Sequence, residues 1–110
     1  TMRLALAALL AHSLFAQSTA LLTGTVEDPT GAMIAQANLS AIEQRTSLRF
    51  TTTSDESGRF SFPRLPVGNY VIECQLQGFR RFVSQPIRLD ADQTRQAQIV
   101  LQIGDTAESI

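Results

Sequence analysis

The sequence predicts an all-β fold, a seven-stranded antiparallel β-sandwich, from three observations. Short segments alternate apolar and polar residues with a period of two, so one side of each segment would face a core. Glycine, proline, aspartate and serine separate these segments as turns. The 110 residues are enough for one domain, in which two facing sheets would bury a single core.

Three strands are predicted in the first half of the chain. Residues 21–27 alternate regularly, and the sequence Asp-Pro-Thr-Gly at residues 28–31 ends them as a turn. Small residues in alternation predict a second strand over residues 37–43. Residues 47–53 are rich in threonine, and β-branched side chains favour an extended backbone.

The segment 53–79 carries the most regular pattern, T-S-D-E-S-G-R-F-S-F-P-R-L-P-V-G-N-Y-V-I-E-C-Q-L-Q-G-F. Phe60 and Phe62 fall two apart and would share one face of a strand. Tyr70, Ile72, Cys74 and Leu76 would share one face of the next strand. The pattern predicts that these two strands form a half-buried antiparallel hairpin.

Turns frame the first strand of this hairpin. Before it, Asp55 is expected to accept hydrogen bonds from backbone N–H groups, and Gly58 to adopt a positive φ. The oxygen ligands of Asp55 and Glu56 also make the turn a calcium candidate, although carboxylates in a solvent-facing turn more often only set its geometry. After the strand, we expect Gly68 to adopt a conformation that a Cβ atom would obstruct.

The end of the chain predicts two more strands. One covers residues 79–84, with a break at Gln85-Pro86 before Ile87 and Leu89, and the last covers residues 95–103. The predicted core consists of Leu22, Val26, Leu39, Phe50, Phe60, Phe62, Tyr70, Ile72, Leu76, Ile99 and Leu101. Cys74 is in phase with that core and is expected to behave as a small buried apolar residue.

Residues 1–18 have the pattern of a secretory signal peptide. Arg3 precedes an apolar stretch over residues 4–10, and small residues follow near Ala16 and Ser18, the two alternative cleavage positions, of which Ser18 is favoured. A short buried helix is the alternative interpretation. The apolar stretch is too short for the roughly 20 residues of a membrane span, so no span is expected to remain after export.

The charge balance argues against nucleic acid as a partner. Without the leader the chain has eight arginines, no lysine and ten acidic residues. This mild negative balance gives no basic footprint. Only Arg80 and Arg81 are adjacent, and the pair is interpreted as a solvated strand edge.

The residue inventory predicts that the chain is not an enzyme and that it has no catalytic, cofactor-binding or metal-binding residues. With His12 in the leader, no Ser-His-Asp or Cys-His arrangement can form, and zinc ligation by His and Cys is excluded. The paired carboxylates at residues 27–28 and at Asp90 and Asp92 adjoin turns or strand edges instead of a recognisable cleft pattern. They are interpreted as solvated charges.

The segment 53–79, together with Gly24, Val26, Asp28 and Gly31, resembles the carboxypeptidase regulatory-like domain, a transthyretin-like β-sandwich. The patterns behind the resemblance are G-x-V-x-D-x-x-G, then D-x-x-G-x-F-x-F-x-x-L-x-x-G-x-Y, then G-F. It implies a domain over residues 19–104. Hydroxyisourate hydrolases share this fold but need histidines and a Tyr-Arg-Gly-Ser tail, and Cna B-type adhesin domains need a lysine for their crosslink; this chain lacks these features.

The resemblance also implies a function. In exported bacterial proteins this domain is most often an N-terminal extension of a TonB-dependent outer-membrane receptor, and residues 101–110 resemble the L-x-V-G-x-x-x-E-x-I stretch that leads toward the receptor plug. Residues 105–110 would then be a linker toward a downstream region. The expectation is an accessory or interaction module in the periplasm or outer membrane, with protein partners or receptor domains. The alternatives are a secreted module that binds glycan or protein, and an accessory domain of a secreted peptidase.

Overall fold

The computed structural model describes residues 18–104, which form eight β-strands in two sheets. The strands are β1 (Thr19–Glu27), β2 (Asn38–Glu43), β3 (Arg49–Thr53), β4 (Arg59–Pro66), β5 (Gly68–Gln75), β6 (Phe82–Val83), β7 (Ile87–Leu89) and β8 (Thr94–Val100). The predicted all-β sandwich is confirmed. Apart from Ser18, the predicted signal peptide lies outside the described residues, as does the predicted linker over residues 105–110.

The two sheets differ in width. The narrow sheet has the order β4-β1-β8, and the wide sheet has the order β3-β2-β5 with both β6 and β7 beside β5. Alternation of buried and exposed residues along β4 and β5 directs one face of each sheet toward the shared interior. Residues 18–104 contain no helix long and apolar enough to cross a membrane.

The predicted hairpin of the central segment is wrong. β4 pairs with β1 in the narrow sheet, whereas β5 pairs with β2, β6 and β7 in the wide sheet. Only Val67 separates the two strands, so the chain changes sheets there. Phe62 and Tyr70 therefore lie in opposite walls of the core instead of side by side on one sheet. Alternation within a strand specifies its buried face, but not the strand with which it pairs.

Two further features differ from the prediction of seven antiparallel strands. β1 and β8 run parallel, in register from Leu21 opposite Thr94 to Glu27 opposite Val100. The predicted strand before Pro86 is short, and the residues after Pro86 form a strand of their own, which raises the number to eight. Proline has no N–H group for a strand ladder, so the edge is interrupted at Pro86. Beside this interruption, Ser84 Oγ accepts a hydrogen bond from the Ile72 N–H at 2.9 Å.

The buried core confirms most of the predicted apolar set. All of the predicted core residues are buried except Phe50 and Leu76, which pack against the core from partly exposed positions. The structure adds Leu65 and Leu89 as fully buried side chains that the alternation had not marked. It also adds Ala20, Ile34 and Ala37 as buried residues. Ala41 and Cys74, which are in phase with the buried faces of β2 and β5, are buried too, and Cys74 thus behaves as the small buried apolar residue that was expected.

The expected conformation of Gly68 is wrong, because its φ is not positive. The positive values among glycines belong to Gly31, Gly58 and Gly78. Gly68 instead lies against Glu43, whose Cγ would be 3.0 Å from an added Cβ atom. Substitution of Gly68 is therefore opposed by the packed Glu43 side chain and not by backbone strain.

Candidate functional site

The outer face of the narrow sheet has a shallow polar depression of about 580 Å³. It lies where the three strands present their polar side chains. The lining residues are Thr23, Gly24, Thr25, Arg59, Gln96, Ala97 and Gln98. Hydroxyl, amide and guanidinium groups at such spacing can make hydrogen bonds to a polar ligand.

Local hydrogen bonds position some of these groups. The Thr23 hydroxyl donates to the Phe60 carbonyl oxygen at 3.0 Å, which fixes the side chain between β1 and β4. The Gln98 amide donates to the Glu27 carboxylate across the β1–β8 pair. Arg59 has no ion-pair partner among residues 18–104, so its guanidinium is available at the rim of the depression.

Gly24 allows β8 to lie close to β1 at the floor of the depression. A Cβ atom there would lie 1.8 Å from the carbonyl oxygen of Ala97 and 2.8 Å from the ring of Phe60. Because the first obstacle is backbone, no side-chain movement could relieve it. The glycine of the first motif therefore permits the close approach of β8 and of the Phe60 ring to β1.

The calcium candidate at Asp55 has the geometry predicted for a turn. Asp55 Oδ1 accepts hydrogen bonds from the N–H groups of Ser57 and Arg59, both at 2.9 Å. Gly58 has a φ of +75°, as predicted. Residues 18–104 contain no group of three or more His, Cys, Asp or Glu side chains arranged to hold a metal ion. The expected absence of a metal site stays a prediction.

The other carboxylates weighed in the sequence occupy structural positions. Asp28 Oδ1 accepts hydrogen bonds from the Thr30 hydroxyl at 2.6 Å and from the Thr30 and Ala32 N–H groups at 2.9 and 3.0 Å. The Thr30 hydroxyl, followed by the backbone donors, lowers the pKa of Asp28. Asp90 pairs with Arg88 at 3.0 Å. These groups organise loops, and none of residues 27, 28, 90 and 92 lines the polar depression.

Sequence reasoning missed the buried carboxylate of Glu43. It accepts hydrogen bonds from the N–H of Arg45 at 3.0 Å, and from the N–H and hydroxyl of Thr46 at 3.1 and 2.9 Å. The Arg45 N–H is the main cause of a lowered pKa at Glu43, and Thr46 adds to it. One signal was present: Glu43 is in phase with Leu39 and Ala41, which puts a charge on the buried face of β2.

Cys74 and the arginine pair carry no reactive arrangement. Burial raises the pKa of the Cys74 thiol to about 11, so the nucleophilic thiolate is scarce at neutral pH. Arg81 pairs with Glu73 at 2.9 Å, and Arg80 packs its aliphatic stem close to Gly104. Both arginines are exposed, as a solvated strand edge would require, but they precede β6 instead of lying in a strand.

The sequence model of the carboxypeptidase regulatory-like domain matches residues 22–102, which is most of the chain and almost all of the described fold. The chain belongs to the carboxypeptidase regulatory-like domain family. No curated protein matches the chain significantly.

Solved structures share the fold at low identity. The 3-chlorocatechol 1,2-dioxygenase of Rhodococcus opacus matches with a TM-score of 0.64 and 13% identity, over 81% of this chain and 61% of that one. The hydroxyquinol 1,2-dioxygenase of Pseudomonas putida gives 0.66 and 12%, over 83% and 58%. A Bacteroides uniformis structure named a "putative carbohydrate binding protein" gives 0.62 and 14%, over 74% and 40%. The chain thus spans less than two thirds of each.

These matches correct the prediction that the chain is not an enzyme. Several proteins that share the fold are dioxygenases, so the sandwich fold does not exclude an activity. At 10 to 13% identity the likeness shows the fold alone, and it assigns no reaction to this chain.

Proposed function

We propose that this chain is the N-terminal accessory and interaction module of an exported TonB-dependent outer-membrane receptor, located in the periplasm. The family match over residues 22–102 carries the proposal. The sequences on either side support it, because residues 1–18 have the pattern of a secretory signal and residues 101–110 resemble the stretch leading toward a receptor plug.

The parallel pairing of β1 and β8 is consistent with such a module. Since the strands are parallel neighbours, the domain begins at one end of the sandwich and β8 ends at the other. The segment after β8 is held there, with the Arg80 N–H donating to the Gln102 carbonyl at 2.8 Å and the Gly104 N–H to the Gly78 carbonyl at 3.1 Å. A downstream region would therefore be attached at a defined point.

The reading frame beyond Ile110 and the location of its product test this proposal. We expect a plug and receptor sequence to follow, the product to sediment with outer membranes, and N-terminal sequencing to begin at Thr19 or Gln17. A product that is soluble, or that retains Met2 and Arg3, would contradict it. A peptidase sequence after Ile110 would favour the accessory domain of a secreted peptidase instead.

Binding of a neutral glycan is a second candidate, favoured by the polar depression on the narrow sheet. The Bacteroides uniformis structure shares only the fold, so the support comes from the hydroxyl, amide and guanidinium groups themselves. A glycan array would test it with two variants that remove polar groups, Arg59→Ala and Gln96→Ala. Thr51→Ala, on the exposed face of the wide sheet, is the control. Binding that all three variants retain, or no binding at all, would contradict this candidate.

A further inference from the structure

The narrow sheet is one strand position short of the wide sheet. It has three strands, whereas β3, β2, β5 and the combined β6 and β7 occupy four positions in the wide sheet. β3 and β4 contact each other on one side of the sandwich. On the other side, Phe82 of β6 and Ile87 of β7 lie near β8 and stay partly exposed.

The outer edge of β8 offers backbone groups to an additional strand. In a parallel pair, alternate residues direct both their N–H and C=O groups to the same neighbour. The Leu21 N–H donates to the Gln93 carbonyl and the Leu101 N–H to the Glu27 carbonyl, which anchors the ladder at both ends. By the same alternation, the backbone N–H and C=O groups of Ala97 and Ile99 form hydrogen bonds with β1. The backbone groups of Gln96 and Gln98 point away from β1.

The other edges of the sandwich carry features that discourage strand addition, and β8 has fewer of them. β4 contains Pro63 and Pro66, β3 has five residues, and Pro86 separates β6 from β7. Prolines, short strands and interruptions are the usual protections of an edge. β8 extends for seven residues with neither a proline nor an interruption.

A slot with both apolar and polar lining residues lies beside this edge, between β8 and the β6–β7 side of the wide sheet. It has a volume of about 280 Å³. Phe82 and Ile87 reach it from one wall and Ala97 from the other, and all three are only partly buried. Arg95 also lines the slot and has no ion-pair partner among the described residues.

We propose that β8 is a docking edge for one extended peptide segment of a partner protein, which adds to the narrow sheet as a fourth strand. Alternate side chains of this peptide are apolar and cover Phe82 and Ile87, and one is a carboxylate that pairs with Arg95. Main-chain hydrogen bonds supply affinity in this mode, and the side-chain positions supply specificity. The inference does not depend on the receptor context proposed above.

A second copy of this chain fits the edge poorly. A second β8 strand, with the sequence Thr-Arg-Gln-Ala-Gln-Ile-Val, brings another arginine and no carboxylate. It therefore offers nothing on the strand itself that would pair with Arg95, whereas a peptide with an acidic residue does. Arg95, a charge on the inner face of the edge, also disfavours an uncharged strand.

The probe is a synthetic peptide designed for antiparallel pairing, Thr-Ile-Thr-Val-Thr-Glu-Thr, with Glu placed opposite Arg95. We expect it to shift the amide resonances of Gln96 and Gln98 in the 110-residue chain, and to slow their hydrogen exchange, with smaller effects at Ala97 and Ile99. A shuffled peptide, Thr-Thr-Ile-Val-Glu-Thr-Thr, should bind at least about tenfold more weakly because its apolar residues no longer alternate. Equal binding of both, or resonance shifts centred on β4, would overturn the proposal.

Two matched variants separate the backbone from the side chain at Gln96. Gln96→Ala keeps the outward N–H and should bind the peptide like the original chain. Gln96→Pro removes that N–H without removing a bond to β1, and should abolish binding. Undiminished binding to a folded Gln96→Pro would contradict strand addition at β8.

A charge exchange tests the edge even if the proline variant does not fold. Arg95→Glu should weaken binding of the Glu peptide by roughly tenfold or more, since like charges would meet, and should favour a peptide with Lys in that position. If Arg95→Glu leaves the preference between the two peptides unchanged, the assigned register and the role of Arg95 are wrong. These measurements are made in solution, so a failure of the receptor proposal does not alter their outcome.

Discussion

The two sheets of this sandwich share one core but have differently constructed outer surfaces. On the wide sheet, Glu73 pairs with Arg81 at 2.9 Å and lies 3.8 Å from Arg49, and the outer edge is interrupted at Pro86. On the narrow sheet, the outer face is lined by Thr and Gln side chains around Arg59, and the edge at β8 is continuous. A shared core does not by itself require the two outer surfaces to differ. Their difference makes the narrow sheet the better place to look for a ligand.

The sheets also differ in how they contribute to the core. The wide sheet inserts a full aromatic side chain, Tyr70, which is completely buried and donates its hydroxyl to the Pro66 carbonyl at 2.6 Å. The narrow sheet contributes two buried rings, Phe60 and Phe62, and Phe60 packs over Gly24, which has no side chain. Substitutions matched between the two sheets should therefore have unequal effects.

The largest expected effect is the loss of a core ring from the narrow sheet. Phe62 is 3% exposed, and Phe62→Ala should lower the free energy of unfolding by about 3 to 5 kcal/mol. Phe50→Ala on the edge of the wide sheet is the control and should cost less, because Phe50 is only partly buried. Urea denaturation measures both. Equal losses would show that the partly exposed ring contributes as much as the buried one.

The two motif glycines provide the next comparison. Gly24→Ala should cost about 1 to 3 kcal/mol, since the new Cβ meets a backbone oxygen that cannot move aside. Gly68→Ala should cost less, because the Glu43 side chain needs to give way by only a few tenths of an ångström and alanine restricts the unfolded chain. The test is again the urea midpoint. A larger effect at Gly68 would contradict this ranking.

The turn that leads into the narrow sheet should be independent of calcium. Asp55→Ala removes two hydrogen bonds to backbone N–H groups and should cost about 1 kcal/mol, both with calcium and with a chelator. Thermal unfolding of the original chain should not shift with calcium, because only a ligand of the folded state stabilises it. A calcium-dependent rise in the melting temperature that is lost in Asp55→Ala would establish a metal site.

The smallest expected effect concerns pH. The pKa of Asp28, after the narrow sheet's central strand, and the pKa of Glu43, in the wide sheet, are both lowered by hydrogen bonds. Since the folded pKa lies below the unfolded value in each case, the stabilisation is present above the ordinary values of 3.8 and 4.5 and is lost as pH falls through the folded pKa.

Amide variants of the two acids locate this pH dependence. Asp28→Asn and Glu43→Gln should each reduce the decline of unfolding free energy toward acidic pH, as measured by denaturation at a series of pH values. Glu56→Gln, at an exposed turn position, is the control. If neither variant changes the slope, the lowered pKa values do not contribute to folding.

Much of this fold is predictable from local patterns, and its exceptions have identifiable causes. Alternation marked Leu22, Val26 and Ile99 as buried, and turn chemistry anticipated the Asp55 hydrogen bonds and the positive φ of Gly58. Alternation did not predict the burial of Leu65, because the register of β1 and β4 shifts between Ala20 and Leu22 and this shift breaks the period of two. The sequence did not predict the polar depression, because its lining residues come from three strands that are distant in sequence.

The sequence by itself determined where the chain is extended, where it turns and which side of each strand is apolar. These properties depend on side-chain spacing and on the conformational preferences of neighbouring residues, which act within a few positions. Only the tertiary structure decided that β4 and β5 belong to different sheets, that β1 and β8 run parallel and that the edge of β8 is left without a neighbour in residues 18–104. Strand pairing depends on how the apolar faces of the whole domain close around one core, and a local pattern is compatible with several such pairings.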